Sequence, residues 1–100
     1  MRKVYDNVSS SRFSCMRREA QRQIRQFAKI SGYTIERWQI PEGDNTTWRV
    51  ALAKGSSHLE FAIKVNRSHN QLSLEVVKMP PMVPAGAALQ KVDAIYRHCG

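Results

Sequence analysis

Three consecutive segments in which apolar and polar residues alternate are the feature that most constrains the fold. They are residues 46–54, 58–66 and 71–79. Alternation with a period of two places the apolar side chains on one face of a strand. The segments are separated only by GSS (55–57) and RSHN (67–70), and connections this short favour an antiparallel meander. A fourth strand segment, YTIERWQI (33–40), precedes them and is followed by the turn sequence PEGDN.

A helix is predicted on each side of the strand segments. The first begins at Ser9–Ser11, whose hydroxyls suit an N-cap, and ends at Lys29 or Ile30, with Gly32 beyond it in the left-handed C′ position. Its apolar stripe, which we expect to face the core, consists of Phe13, Met16, Ala20, Ile24 and Phe27. The prolines of PPMVP (80–84) end the sheet, and a final helix follows Pro84.

These segments predict an α+β fold. We expect a single αββββα domain over residues 1–100, in which an antiparallel meander sheet packs both helices on one face. Residues 1–8 precede the first helix and are predicted to form a flexible arm.

The net charge of +8 is unevenly placed along the chain. Residues 1–40 hold nine basic side chains against three acidic ones, whereas residues 41–100 hold seven against five. Charge concentrated in one region indicates a polyanionic partner, either nucleic acid or an acidic protein surface. A membrane is not favoured, because no run of 18 apolar residues is present and the first helix has no Trp or Leu on its apolar side.

Four basic residues recur along the first helix with the spacing i, i+4, i+7, i+11. They span about 60° of the helical circumference and about 16 Å of its length, almost opposite the apolar stripe. Arginine, with its forked donors, suits the phosphates of a nucleic-acid backbone. We call these residues the basic stripe and predict that it binds nucleic acid: Arg18, Arg22, Arg25 and Lys29. Arg17 lies beside it, and Trp38 is the best candidate for an exposed stacking ring. A merely solvated helix face stays open as the alternative.

Cysteine and histidine usage indicates no metal site. His58, His69 and His98 are scattered and lack metal-ligand spacing. Cys15 and Cys99, in a chain without an export signal, predict reduced thiols, no disulfide and a cytoplasmic location. No phosphate-binding loop, dinucleotide motif or nucleophile elbow occurs, so we expect no cofactor and no small-molecule substrate.

The stretch KGSSHLEF (54–61) resembles part of the HicA-type toxins. The matching pieces are ISGYTIERW (30–38), GSSHLEF (55–61), VVKMPPMVP (76–84) and AGAALQKVDAIYRHCG (85–100), which follow the family's order over about seventy residues. The resemblance implies a double-stranded-RNA-binding-like fold and RNA cleavage, with His58 as the catalytic acid or base. The chain departs from that pattern at residues 39–54, which predict an extra strand, and after Met79, where further polar residues are lacking.

Taken together, the patterns predict a small basic accessory or regulatory protein that binds nucleic acid, RNA favoured over DNA, rather than a metabolic enzyme. Two alternatives stay open. One is a HicA-like ribonuclease that uses His58. The other is a protein-binding inhibitor or adaptor that docks an acidic partner surface, for which the small side chains on the outer face of the sheet would provide a flat contact.

Overall fold

The predicted α+β fold is confirmed: two helices pack with one antiparallel sheet, which has five strands rather than the four expected. A computed structural model describes residues 1–100. The elements are β1 (Arg2–Tyr5), α1 (Ser10–Ser31), β2 (Thr34–Gln39), β3 (Asn45–Lys54), β4 (Ser57–Ser68), β5 (Gln71–Lys78) and α2 (Ala85–His98). The sheet order is β1-β5-β4-β3-β2, so the predicted meander of β2 to β5 is confirmed.

The first strand was not predicted, and the flexible arm expected for residues 1–8 is wrong. Strand β1 pairs with β5, with Arg2 opposite Glu75 and Tyr5 opposite Leu72. Val8 is fully buried, and its backbone N–H donates to the carbonyl of Asn70 at 2.6 Å. A strand of four residues is too short for an alternating pattern to be recognised. Its partner is the free edge of β5, which becomes visible only in three dimensions.

The core consists of two apolar clusters between the sheet and the helices. The first cluster lies under both helices and contains Tyr5, Val8, Phe13, Met16, Val65, Leu72, Leu74 and Ile95. The second lies under the C-terminal half of α1 and contains Ala28, Ile40, Val50, Leu52 and Leu59. No residue of α2 belongs to the second cluster or packs against it. The two halves of α1 therefore have different surroundings.

The predicted N-cap and the left-handed glycine of α1 are confirmed, and the helix extends to Ser31, one residue beyond the predicted end. The hydroxyl of Ser9 accepts from the backbone N–H of Arg12 at 3.1 Å, which satisfies one of the free donors of the first turn. Gly32 follows the last turn with φ 76°, a left-handed conformation that glycine adopts without steric cost. Beyond it, the Tyr33 ring stacks on Phe27 at 5.8 Å.

The predicted core stripe of α1 is correct in its first half and wrong at its end. Phe13 and Met16 are buried, but Phe27 is 45% exposed, and Ala28 is buried in its place. In the first half, α1 packs against both the sheet and the neighbouring α2. In the second half only the sheet covers it, so the buried side turns toward the sheet and away from Phe27.

The two cysteines form a disulfide, so the prediction of free thiols is wrong. Cys15 lies in α1 and Cys99 caps α2, with their Cα atoms 5.8 Å apart. The two cysteines are 84 residues apart in the sequence. Their contact depends on the C-terminal end of α2 packing beside the N-terminal half of α1, which the sequence does not show. Arg12 joins the same elements: it donates to the Tyr96 carbonyl at 2.7 Å, and its guanidinium lies 3.5 Å above the Tyr96 ring. The cytoplasmic location rested on reduced thiols and stays a prediction.

The surroundings of Tyr5 make the free energy of unfolding depend on pH in the alkaline range. Its hydroxyl donates to the carboxylate of Asp93, and its ring stacks on Tyr96 at 4.3 Å. Burial, and then the hydrogen bond and charge of Asp93, raise the pKa of Tyr5 well above its ordinary 10.0. Because the folded state favours the neutral phenol, this contribution to stability is complete below the unfolded-state pKa and is lost as the pH rises above about 10.

We therefore expect the free energy of unfolding to fall with pH above about 10 more steeply in the wild type than in Tyr5→Phe. Urea unfolding followed by circular dichroism at a series of alkaline pH values measures both slopes. Lysines titrate in the same range, and the comparison with Tyr5→Phe removes their contribution. Parallel slopes in the two proteins would contradict the assignment.

Candidate nucleic-acid interface

The basic stripe lies on the solvent-exposed side of α1. All four of its residues are exposed, and the helix that carries them has 22 residues. The helix holds six basic side chains and a single carboxylate, that of Glu19. A straight helix fixes the spacing of the stripe, which extends for about 16 Å. The sequence thus placed these four side chains on the correct side of the helix.

Arg22, in the stripe, is paired with the one carboxylate of the helix. Its guanidinium donates to both carboxylate oxygens of Glu19 and also to Gln26 Oε1 at 3.2 Å. The hydrogen bond from Arg22 is the main cause that lowers the pKa of Glu19 to about 2, and the same pair raises the pKa of Arg22. Arg22 is therefore held in one orientation, and Glu19 compensates its charge.

Arg25 is stacked rather than ion-paired. Its guanidinium lies 4.5 Å from the centre of the Trp38 ring. Trp38 is half-buried in β2, where it packs against the second core cluster. Trp38 is therefore not the exposed stacking ring that the sequence suggested, because the core and Arg25 both cover it. The contact positions Arg25 and leaves its charge uncompensated.

Arg17 differs from the stripe that it borders in the sequence. Its side chain is only 17% exposed and donates to the Glu42 carboxylate at 2.9 Å. The pair ties α1 to the connection between β2 and β3. Arg18 and Lys29, in contrast, make no side-chain hydrogen bond and no ion pair and are free to meet a ligand. The cations available on this face are Arg18, Arg25 and Lys29.

His58 lies at the start of β4 on the face of the sheet that no helix covers. Its side chain is 64% exposed, and its Nδ1 is 3.5 Å from a carboxylate oxygen of Glu36. Arg37 and Glu60 line the same shallow groove of about 330 Å³. His58 and the basic stripe are thus on opposite sides of the sheet, so the structure does not combine the two predicted sites.

The uncovered face of the sheet also carries charged side chains, of which Arg37 and Lys78 form ion pairs, whereas Arg49 and Lys64 form none. Glu60 accepts from Lys78 at 2.6 Å and lies 3.8 Å from Arg37. The hydrogen bond from Lys78 is the main cause that lowers the pKa of Glu60. Lys64 stands directly opposite Glu75 across the strand pair. Cations and carboxylates are therefore mixed on this face, whereas α1 carries six cations and one carboxylate.

Two further findings bear on the class of site. No group of three or more His, Cys, Asp or Glu side chains is arranged to hold a metal ion. No helix is both long enough and apolar enough to cross a membrane.

Comparison with known proteins adds no relative. No protein-family model matches the chain, and searches of curated proteins and of solved structures found no match. The relation to HicA-type toxins therefore stays a prediction.

Proposed function

We propose that this protein binds nucleic acid by laying the exposed face of α1 along the phosphate backbone. The observation that carries the proposal is the set of three exposed cations on one rigid helix face, Arg18, Arg25 and Lys29, none of which has an acidic partner. Neutralising phosphates with such side chains releases condensed counterions, which supplies most of the affinity for a polyanion.

The arrangement of the stripe supports this proposal over a merely solvated face. Arg25 is held against Trp38, so one of the three available cations is oriented before any ligand arrives. Ordering flexible side chains costs free energy on binding, and this cost is reduced when they are already held.

The fold and the site fit a small accessory or regulatory protein. Phosphate contacts of this kind position a protein on nucleic acid and carry no sequence information by themselves. RNA is favoured over DNA only by the resemblance to HicA-type toxins. We therefore expect binding that depends weakly on sequence.

A salt titration tests the proposal. Fluorescence anisotropy with labelled 20-base-pair RNA and DNA duplexes should detect binding at low salt. The logarithm of the binding constant should fall linearly with the logarithm of salt concentration, with a slope of about −3 for three phosphate contacts. No binding at low salt, or binding that is independent of salt, would overturn the proposal.

A second candidate, a HicA-like ribonuclease, is favoured by one contact. The Glu36 carboxylate lies 3.5 Å from His58 Nδ1, and Arg37 lines the groove beside them. A carboxylate that orients a histidine, next to a cation for the phosphate, is a common arrangement for proton transfer at a phosphodiester. RNA that is cleaved by the wild type and left intact by His58→Ala would support this candidate. Equal cleavage by both proteins would remove it.

A further inference from the structure

Two large apolar side chains are exposed on the C-terminal half of α1. Phe27 is 45% exposed and Ile30 is 76% exposed. Both line a shallow groove of about 380 Å³, which also includes Lys91 of α2. The fold does not need them there, because the sheet-facing position of this half of the helix is filled by Ala28. A contiguous exposed apolar surface with a polar rim is typical of a protein-binding site.

The rim of this groove is cationic. Arg22 and Lys91 line it, and no carboxylate does. At its end, Lys54 donates to the carbonyl of Ser31 at 2.9 Å and lies 5.7 Å from the Tyr33 ring. Neither Lys54 nor Lys91 has an ion-pair partner. The groove therefore places two exposed apolar side chains, Phe27 and Ile30, near the unpaired charges of Lys91 and Lys54, while the charge of Arg22 is compensated by Glu19.

This combination selects one kind of occupant. Nucleic acid would satisfy the cations but would leave Phe27 and Ile30 without apolar contacts. A second copy of the chain would bring two sets of like charges together, which opposes association. A protein segment that carries carboxylates beside aliphatic or aromatic side chains complements both the exposed apolar pair and the two unpaired lysines.

We propose that the groove lined by Phe27, Ile30 and Lys91 binds an acidic, apolar segment of a partner protein. The apolar side chains of the partner contact Phe27 and Ile30, and its carboxylates pair with Lys91 and Lys54. This surface lies on the α2 side of α1 and shares only Arg22 with the basic stripe. The proposal does not depend on nucleic-acid binding.

A selection from a displayed library of random 12-residue peptides, against the immobilised full chain with its disulfide intact, tests the proposal. We expect enriched peptides that combine Asp or Glu with Leu, Ile or Phe. Their affinity should fall at least about tenfold for Ile30→Ser and for Lys91→Glu, since each variant removes one part of the recognition. Both positions are exposed, and circular dichroism verifies that the variants are folded.

Two matched variants serve as controls. Val77→Ser replaces an apolar side chain that is 52% exposed in β5, and Arg18→Glu reverses a charge of the stripe outside the groove. Neither should reduce peptide affinity. The proposal is overturned if no peptide is enriched, if the enriched peptides lack carboxylates or apolar residues, or if they bind Ile30→Ser and Lys91→Glu as well as the wild type. None of these results depends on whether Arg18→Glu still binds a duplex.

Discussion

Reversing the charges of Arg18 and Lys29, the two ends of the basic stripe, should abolish most nucleic-acid binding. In Arg18→Glu/Lys29→Glu, both phosphate contacts are lost and two carboxylates face the polyanion. With each change costing about 1.4 kcal/mol, the affinity for a duplex at low salt should fall about 100-fold. Both side chains are exposed and unpaired, so the fold should be unaffected. Anisotropy with the labelled duplexes measures the change.

The matched control reverses two cations on the other side of the molecule. Arg49→Glu/Lys64→Glu also lowers the net charge from +8 to +4, but both positions lie on the uncovered face of the sheet. If the local arrangement on α1 matters, this variant should keep most of the affinity. An equal loss in both double variants would show that only the net charge matters, and the stripe would lose its special role.

Removing the disulfide should have the largest effect on stability. The bond between Cys15 and Cys99 closes nearly the whole chain, with a sequence separation of 84 residues. The chain-entropy relation for a loop of that length gives about 4–5 kcal/mol of stabilisation, a large fraction of the roughly 5–15 kcal/mol typical of a domain. Cys15→Ser/Cys99→Ser should therefore lower the free energy of unfolding by about 4–5 kcal/mol, as measured by urea unfolding.

Reduction of the wild type provides the matching control. Dithiothreitol should lower the urea midpoint of the wild type to that of the double variant and leave the variant unchanged. Titration of free thiols in the unreduced, unfolded wild type should find none, because both cysteines are in the bond. Two reactive thiols, or a loss of less than about 1 kcal/mol, would contradict a stabilising disulfide.

Local patterns in the sequence were sufficient to predict most of the fold. The alternation in β3 to β5, the cap at Ser9 and the left-handed Gly32 each depend on residues close in sequence, and the structure has all of them. The same holds for the exposed side of α1, which follows from helical periodicity alone.

The features that could not be predicted depend on contacts between distant segments. Strand β1 is too short to show a pattern and is defined by the edge of β5. Phe27 is exposed because no residue of α2 packs against the cluster under the C-terminal half of α1. The disulfide forms because the C-terminal end of α2 lies beside the N-terminal half of α1. The ion pair between Arg17 and Glu42 and the stacking of Arg25 on Trp38 likewise require the tertiary fold. Because of these contacts, Arg17 and Trp38 are not available to a ligand as the sequence predicted.

We propose that nucleic acid contacts the exposed face of α1. The most direct test is a titration of the ¹⁵N-labelled protein with a 20-base-pair RNA duplex at low salt, followed by nuclear magnetic resonance. The largest shift changes should occur at the side-chain N–H groups of Arg18 and Arg25 and at the backbone amides between residues 18 and 29. Changes confined to the uncovered face of the sheet, around Arg37, Arg49 and Lys64, or no changes at all, would contradict the claim.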